Sequence, residues 1–205
     1  GQAEQVASLV NCFGREYLPL GGILHAAGVL EDGLVDNQNR EKFARVLVPK
    51  SHAAWHLHQQ TLRMDLDFFI LYSSVASTLG SPGQSNYATA NAFLDGLAEF
   101  RTQQGLNSLS INWGPWTEGM ADDERVKRRL EVQGIVALQS NDAHAALQYA
   151  FENQQQSHAI VIDVDWRKLK LGADGKTPRL LSELVTEKTK GRSGDSQLVA
   201  RLKKM

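Results

Sequence analysis

Asp67-Phe-Phe-Ile-Leu-Tyr-Ser-Ser74 is an apolar run that stops abruptly on two serines, with helical spacing on either side of it. Before it, Phe43, Val46, Leu47, Ala54 and Leu57 share one stripe of a helix over 39–60, which Pro49 must kink or restart. After it come a turn-forming loop, Thr78-Leu-Gly-Ser-Pro-Gly-Gln-Ser-Asn86, and an alanine-rich helix from about Tyr87 to Thr102. The alternation continues outward. Val6, Leu9, Val10 and Phe13 mark a helix ahead of the short run Gly22-Ile-Leu-His-Ala-Ala27. Downstream lie a strand at Ser108–Trp113, a charged amphipathic stretch at Asp122–Val132, a helix near Asn141–Glu152 and a last strand at Ala159–Val164. Short apolar strands joined by helical crossovers of ten or more residues predict an α/β fold, a doubly wound parallel sheet covered on both faces.

The 205 residues suit one domain. Its body runs over 1–170; from 171 to 205 the chain turns polar, with six Lys or Arg beyond residue 186, and reads as a C-terminal helix or linker. Twenty-two basic against twenty-three acidic residues leave a net charge of −1, a poor basis for holding a phosphate backbone, so nucleic acid is not an expected partner. A single cysteine, Cys12, excludes an intramolecular disulfide framework and fits a reducing, cytoplasmic setting. No apolar run is long enough to cross a bilayer. The opening Gly1-Gln-Ala-Glu-Gln5 has no signal-peptide character and reads as a cut inside a longer polypeptide.

Four side chains carry the chemistry. Lys50 falls on the apolar stripe of its helix, where the plain reading is a stem snorkelling past the core edge. Ser73 and Ser74 end a buried strand, the place where open parallel sheets gather ligands. Tyr87 and Asn91, at i and i+4, share one face of the next helix; taken singly they read as a core aromatic and an exposed polar residue. Together they suggest more. A phenol with an ordinary pKa of ~10 donates a proton at neutral pH only if a neighbouring cation stabilises its phenolate, and a lysine supplies that cation. A serine hydroxyl can hydrogen-bond the same carbonyl oxygen that the phenol protonates. The combination suits carbonyl reduction.

With these residues in view the chain resembles the ketoreductase domain of modular polyketide synthases, a branch of the short-chain dehydrogenase/reductase superfamily. The resemblance rests on His25-Ala-Ala-Gly-Val-Leu-Glu-Asp-Gly33, Pro49-Lys-Ser-His-Ala-Ala-Trp-His-Leu-His58, Tyr72-Ser-Ser-Val-Ala-Ser77, Gly83-Gln-Ser-Asn-Tyr-Ala-Thr-Ala-Asn-Ala-Phe-Leu-Asp95, Asn112-Trp-Gly-Pro-Trp116 and Asp163-Val-Asp-Trp166. It implies a Rossmann-like sheet and NADPH-dependent reduction of a β-ketoacyl thioester borne on the phosphopantetheine of an acyl carrier protein. Tyr87 would be the general acid, Ser74 the hydroxyl on the carbonyl, Lys50 the cation that lowers the tyrosine pKa, and Asn91 the organiser of lysine and water. Cofactor contacts would come from Ala26, Gly28, Lys50, Tyr87 and the turn Gly114-Pro115-Trp116. The stretch from Glu118 to Gly134 resembles the family's substrate lid, with Met120 as a substrate contact. Asp32, in Leu30-Glu31-Asp32, and Leu79, where one subgroup has tryptophan, imply the aspartate-bearing subgroup and a D-configured hydroxyl. The plain reading of Asp32 is a helix or turn cap.

No Gly-x-Gly-x-x-Gly follows a strand in this sequence. The sheet is therefore expected to be incomplete at its N-terminal, phosphate-binding end, with the upstream portion of the same ketoreductase supplying that turn. A non-catalytic docking or structural fragment of the same megasynthase stays open as the second reading. A serine hydrolase lacks its Gly-x-Ser-x-Gly elbow, and no metal is expected: His52, His56 and His58 lie on one helix without further ligands and suit a solvated face.

Overall fold

The computed structural model describes residues 1–118, 130, 132, 134–153, 156–166, 168–169 and 179–181. Its main sheet has the order β1 (Gly22–His25), β2 (Phe68–Ser74), β3 (Leu109–Trp113) and β5 (His158–Val161). The β1–β2 and β2–β3 pairs are parallel, registering Ile23 with Phe69 and Ser73 with Asn112. Two compact units divide the described chain, one formed by 1–113 with 156–160 and the other by the described residues from 114 to 153 and from 161 onward.

In the first unit, Ile23, Phe69 and Leu71 share one sheet face. They pack with Ala54 of α3 (Ala53–Gln60) and with Leu94, Leu97 and Ala98 of α5 (Ser85–Gln103). The buried residues of α5 run Asn86, Tyr87, Ala90, Asn91, Leu94, Leu97, Ala98 and Arg101, the stripe of a helix laid along a sheet. Arg101 ends it under cover: its guanidinium stacks 3.8 Å from the Phe69 ring centroid and donates to His58 Nδ1 at 3.0 Å. His58 thus belongs to the packing between α3 and α5 rather than to a solvated face. The other sheet face buries Ile70 of β2 but leaves Leu24 of β1 53% exposed.

The helix expected over 39–60 is three pieces. α2 (Arg40–Leu47) begins at Asn39, whose side chain accepts from Lys42 N, and gives way to one π-helical turn, Val48–His52, before α3. Pro49 has no N–H to continue the α ladder, and the widened turn absorbs the break. The loop expected at 78–86 is shorter. Thr78 and Leu79 close a small helix, α4 (Ala76–Leu79), and α5 starts at Ser85.

The second unit corrects the end of the chain. The strand expected at Ala159–Val164 divides at Ile162 into β5 and β6 (Asp163–Val164), and β6 pairs antiparallel with an unforeseen strand, β4 (Ile135–Val136). Alternation over two residues is too short a signal to read from sequence. α6 (Ser140–Glu152) lies where a helix was expected. Met120, nearly all of the charged stretch at 122–132 and most of 171–205 lie outside the described residues. No helix among the described residues is long and apolar enough to cross a membrane.

Candidate active site

The π turn decides where Lys50 goes. Its widened geometry turns the side chain inward, and Lys50 is 2% exposed, far from the snorkelling position that the helix phase alone allows. His25 of β1 lies with Nε2 2.8 Å from the Lys50 carbonyl, so the imidazole donates from Nε2 and ties the turn to the sheet. Burial pushes the His25 pKa down, which keeps the ring neutral. The Lys50 ammonium donates to the Tyr72 carbonyl at 2.9 Å and stands 5.6 Å from the centroid of the Tyr87 ring. Burial lowers its pKa to about 8, against an opposing pull from Asp95.

Tyr87 and Asn91 are both buried on α5, Tyr87 packing with Val46 of α2 and Ala76 of α4, so Asn91 is not an exposed polar residue. Asn91 donates from Nδ2 to the Tyr87 carbonyl at 2.8 Å, while its Oδ1 is buried without a hydrogen-bond partner among the described residues. Burial raises the Tyr87 pKa, and the Ser74 and Asn91 side chains pull the other way. The depression expected from Lys50 is thus not seen in this structure. The phenol is desolvated, and the ammonium is drawn to the Tyr72 carbonyl.

The two serines separate. Ser73 donates to the Asn91 carbonyl at 3.2 Å and accepts from Asn112 Nδ2 at 2.7 Å, so its hydroxyl is committed to structure. Ser74 Oγ accepts from Ala76 N at 3.2 Å, which leaves the hydroxyl hydrogen for another acceptor. Beside them, Asp32 takes two 3.1 Å hydrogen bonds from Gln84 Nε2, and Gly33 N donates to the Gly83 carbonyl at 2.8 Å. The loop carrying Asp32 is thereby held to the start of α5. Asn86, fully buried, donates to the Glu31 carbonyl at 2.8 Å and accepts from Tyr87 N. Leu79 closes α4, and Gly28 lies beside Lys50, where an added Cβ would stand 3.4 Å from Nζ. Gly114, Pro115 and Trp116 belong to the second unit, where Pro115 and Trp116 help line a cavity of about 570 Å³.

Sequence reading assigned no role to His25, Asn86, Asp95 or Asn112. The available signal was polarity at positions that the strand and helix periods bury. Ser110 and Asn112 alternate along β3 on the face that α5 covers, and both are fully buried.

A parallel sheet flanked by helices, with a lysine, a tyrosine, a serine and an asparagine converging beyond the ends of its strands, is the architecture of a Rossmann-like oxidoreductase of the short-chain type. The KR domain model matches residues 1–118, and the chain belongs to that family. It is similar to polyketide synthase GfsA of Streptomyces halstedii, 44% identical over 150 residues that make up 73% of this chain and 2% of that protein. Among solved structures it matches an A-type ketoreductase from a modular polyketide synthase, 38% identical with a TM-score of 0.78 over 82% of this chain and 36% of that one. An A1-type ketoreductase matches at 34% identity and a TM-score of 0.80, over 90% of this chain and 40% of the other. The chain therefore spans a small part of the relatives it matches.

Proposed function

We propose that this chain is the catalytic portion of a ketoreductase that uses NADPH to reduce the β-keto group of an acyl thioester carried on an acyl carrier protein. The observation that carries this reading is the placement of Tyr87 beside a buried ammonium, with the Ser74 side chain as its hydrogen-bond partner. The residues suit a nicotinamide cofactor. Lys50 spends one of its three hydrogens on the Tyr72 carbonyl, which leaves donors for hydroxyl groups, and glycine at position 28 keeps the approach to Nζ open. Lys50, Tyr87, Ala26 and Gly28 would hold the cofactor's nicotinamide end, and the upstream portion of the same ketoreductase would supply the phosphate-binding turn. Leu24, exposed on a parallel strand whose faces are ordinarily covered, suits a sheet face that further chain would cover.

When bound, the cofactor supplies hydride to the carbonyl carbon. Tyr87, kept protonated by burial, gives its phenolic hydrogen to the carbonyl oxygen, and Ser74 donates to the same oxygen as its charge grows. Lys50 stabilises the phenolate left behind. Asn91 Oδ1 offers a buried acceptor to a water that returns a proton. Asp32, with Leu79 in place of tryptophan, supports acyl entry on the Asp32 side and a D-configured product, because the direction of entry selects the carbonyl face. The test is turnover by the complete ketoreductase containing this chain. NADPH oxidation driven by a β-ketoacyl thioester is expected, and a folded protein without turnover would favour the non-catalytic fragment.

A further inference from the structure

Asp95 has no part in the reaction as proposed, yet its carboxylate is the centre of a polar cluster directly behind Ser74. Ser110 donates to Oδ1 at 2.6 Å, Ser77 donates to Oδ2 at 2.7 Å, and Asn112 Nδ2 lies 3.1 Å from both oxygens. Ser77 and Asn112 are also the groups on the Ser74 carbonyl, at 2.8 Å and 3.1 Å. The Ser77 hydroxyl has a single hydrogen, and a carboxylate is a stronger acceptor than an amide carbonyl, so that hydrogen goes to Asp95. Asn112 Nδ2 has two hydrogens and lies within reach of Ser73 Oγ at 2.7 Å, Ser77 Oγ at 2.8 Å, the Ser74 carbonyl and both Asp95 oxygens, so it joins the carboxylate to the end of β2. Asn112 is itself fixed by accepting at Oδ1 from Thr78, at 3.1 Å, and from His158 Nε2. Asp95 thus anchors both side chains that lie on the Ser74 carbonyl.

The charge of Asp95 also pulls the Lys50 pKa upward, against burial. The groups that face the ammonium are the Tyr72 carbonyl of β2, the Tyr87 ring of α5 and the neutral His25 of β1. None of them carries a negative charge at neutral pH, and Asp95 is the carboxylate that favours the charged lysine. We propose that Asp95 is a positioning residue of this site: its carboxylate locks the turn that carries Ser74 through Ser77 and Asn112. This rests on the reading that Ser74 and Lys50 act on a carbonyl substrate.

Two variants of the complete ketoreductase test this, with the Lys50 titration as a second readout. Asp95→Asn removes the charge at constant size; Ser77→Ala removes one arm of the cluster and leaves the charge in place. Titration of the Lys50 amino group by NMR needs no turnover, and reading that resonance itself keeps His158, whose Nε2 is 3.9 Å from Asp95 Oδ1, out of the measurement. For Asp95→Asn, we expect the Lys50 titration to move below about pH 8 and kcat to fall roughly tenfold with KM little changed. For Ser77→Ala, kcat should fall several-fold with the Lys50 titration unmoved. A folded Asp95→Asn protein with unchanged kcat overturns the proposal. If Asp95→Asn does not fold, unchanged kcat in Ser77→Ala overturns the positioning role. A wild-type protein that turns over nothing, while Asp95→Asn still shifts Lys50, would sink the reductase reading and leave the electrostatic link standing.

Discussion

The Lys50 ammonium stands 5.6 Å from the centre of the Tyr87 ring and 2.9 Å from the Tyr72 carbonyl, in a pocket that excludes solvent from both side chains. A buried cation costs stability and is kept where it does work. Its pKa of about 8, down from 10.5, gives a signed pH dependence. Between those two values the unfolded chain binds more protons than the folded one, so this group's contribution to stability rises with pH through that window. Activity should run the other way, with kcat/KM falling above about pH 8 as Lys50 loses its charge. Lys50→Met should fold at least as stably as the wild type at pH 7 and lose about a hundredfold or more in kcat, read by thermal melts beside turnover.

His25 holds the π turn to β1 through the Lys50 carbonyl. Replacing it with alanine should cost about 1–2 kcal/mol of stability and lower kcat more than it raises KM, because the lysine is displaced while the pocket persists. Denaturant melts and steady-state kinetics on His25→Ala check this. Wild-type kcat in the folded variant would remove His25 from the positioning of Lys50.

Asp32 should govern which carbonyl face is reduced, since Gln84 holds its carboxylate beside the start of the helix that carries Tyr87. Chiral chromatography of the wild-type product is expected to give predominantly the D-configured β-hydroxyl. Asp32→Ala should erode that preference roughly tenfold with Tyr87 and Lys50 untouched. A predominantly L-configured wild-type product contradicts the assignment.

How much of this was legible in the sequence depended on whether the determinants were local. The alternation of strand and helix is written in periodic runs, and β1, β2, β3, α1 (Ala3–Cys12) and α5 fall close to where those runs place them. Lys50 could be put on a buried stripe, but its depth comes from a π turn that needs both Pro49 and the distant His25, and spacing does not show that pairing. Ser73 and Ser74 are adjacent and chemically alike; what separates them is Asn112, 39 residues from Ser73, which engages one hydroxyl and not the other. Asp95 gave only a weak cue, because a carboxylate on a helix ordinarily faces water and its partners Ser77, Ser110 and Asn112 come from two other segments, α4 and β3.

Micromolar NADPH titration of residues 1–205 by fluorescence should show weak binding compared with the complete ketoreductase, because this sequence holds no Gly-x-Gly-x-x-Gly turn to cradle a pyrophosphate. Equal affinity in the two proteins would place a phosphate site within these residues.

The central claim is that the Tyr87 hydroxyl delivers the proton that completes carbonyl reduction, and Tyr87→Phe in the complete ketoreductase tests it most directly. One hydroxyl is removed from a buried ring whose packing is otherwise unchanged, so the fold should hold. The account predicts a drop in kcat of about a hundredfold or more with a β-ketoacyl thioester. A Tyr87→Phe protein that turns over at the wild-type rate would contradict it.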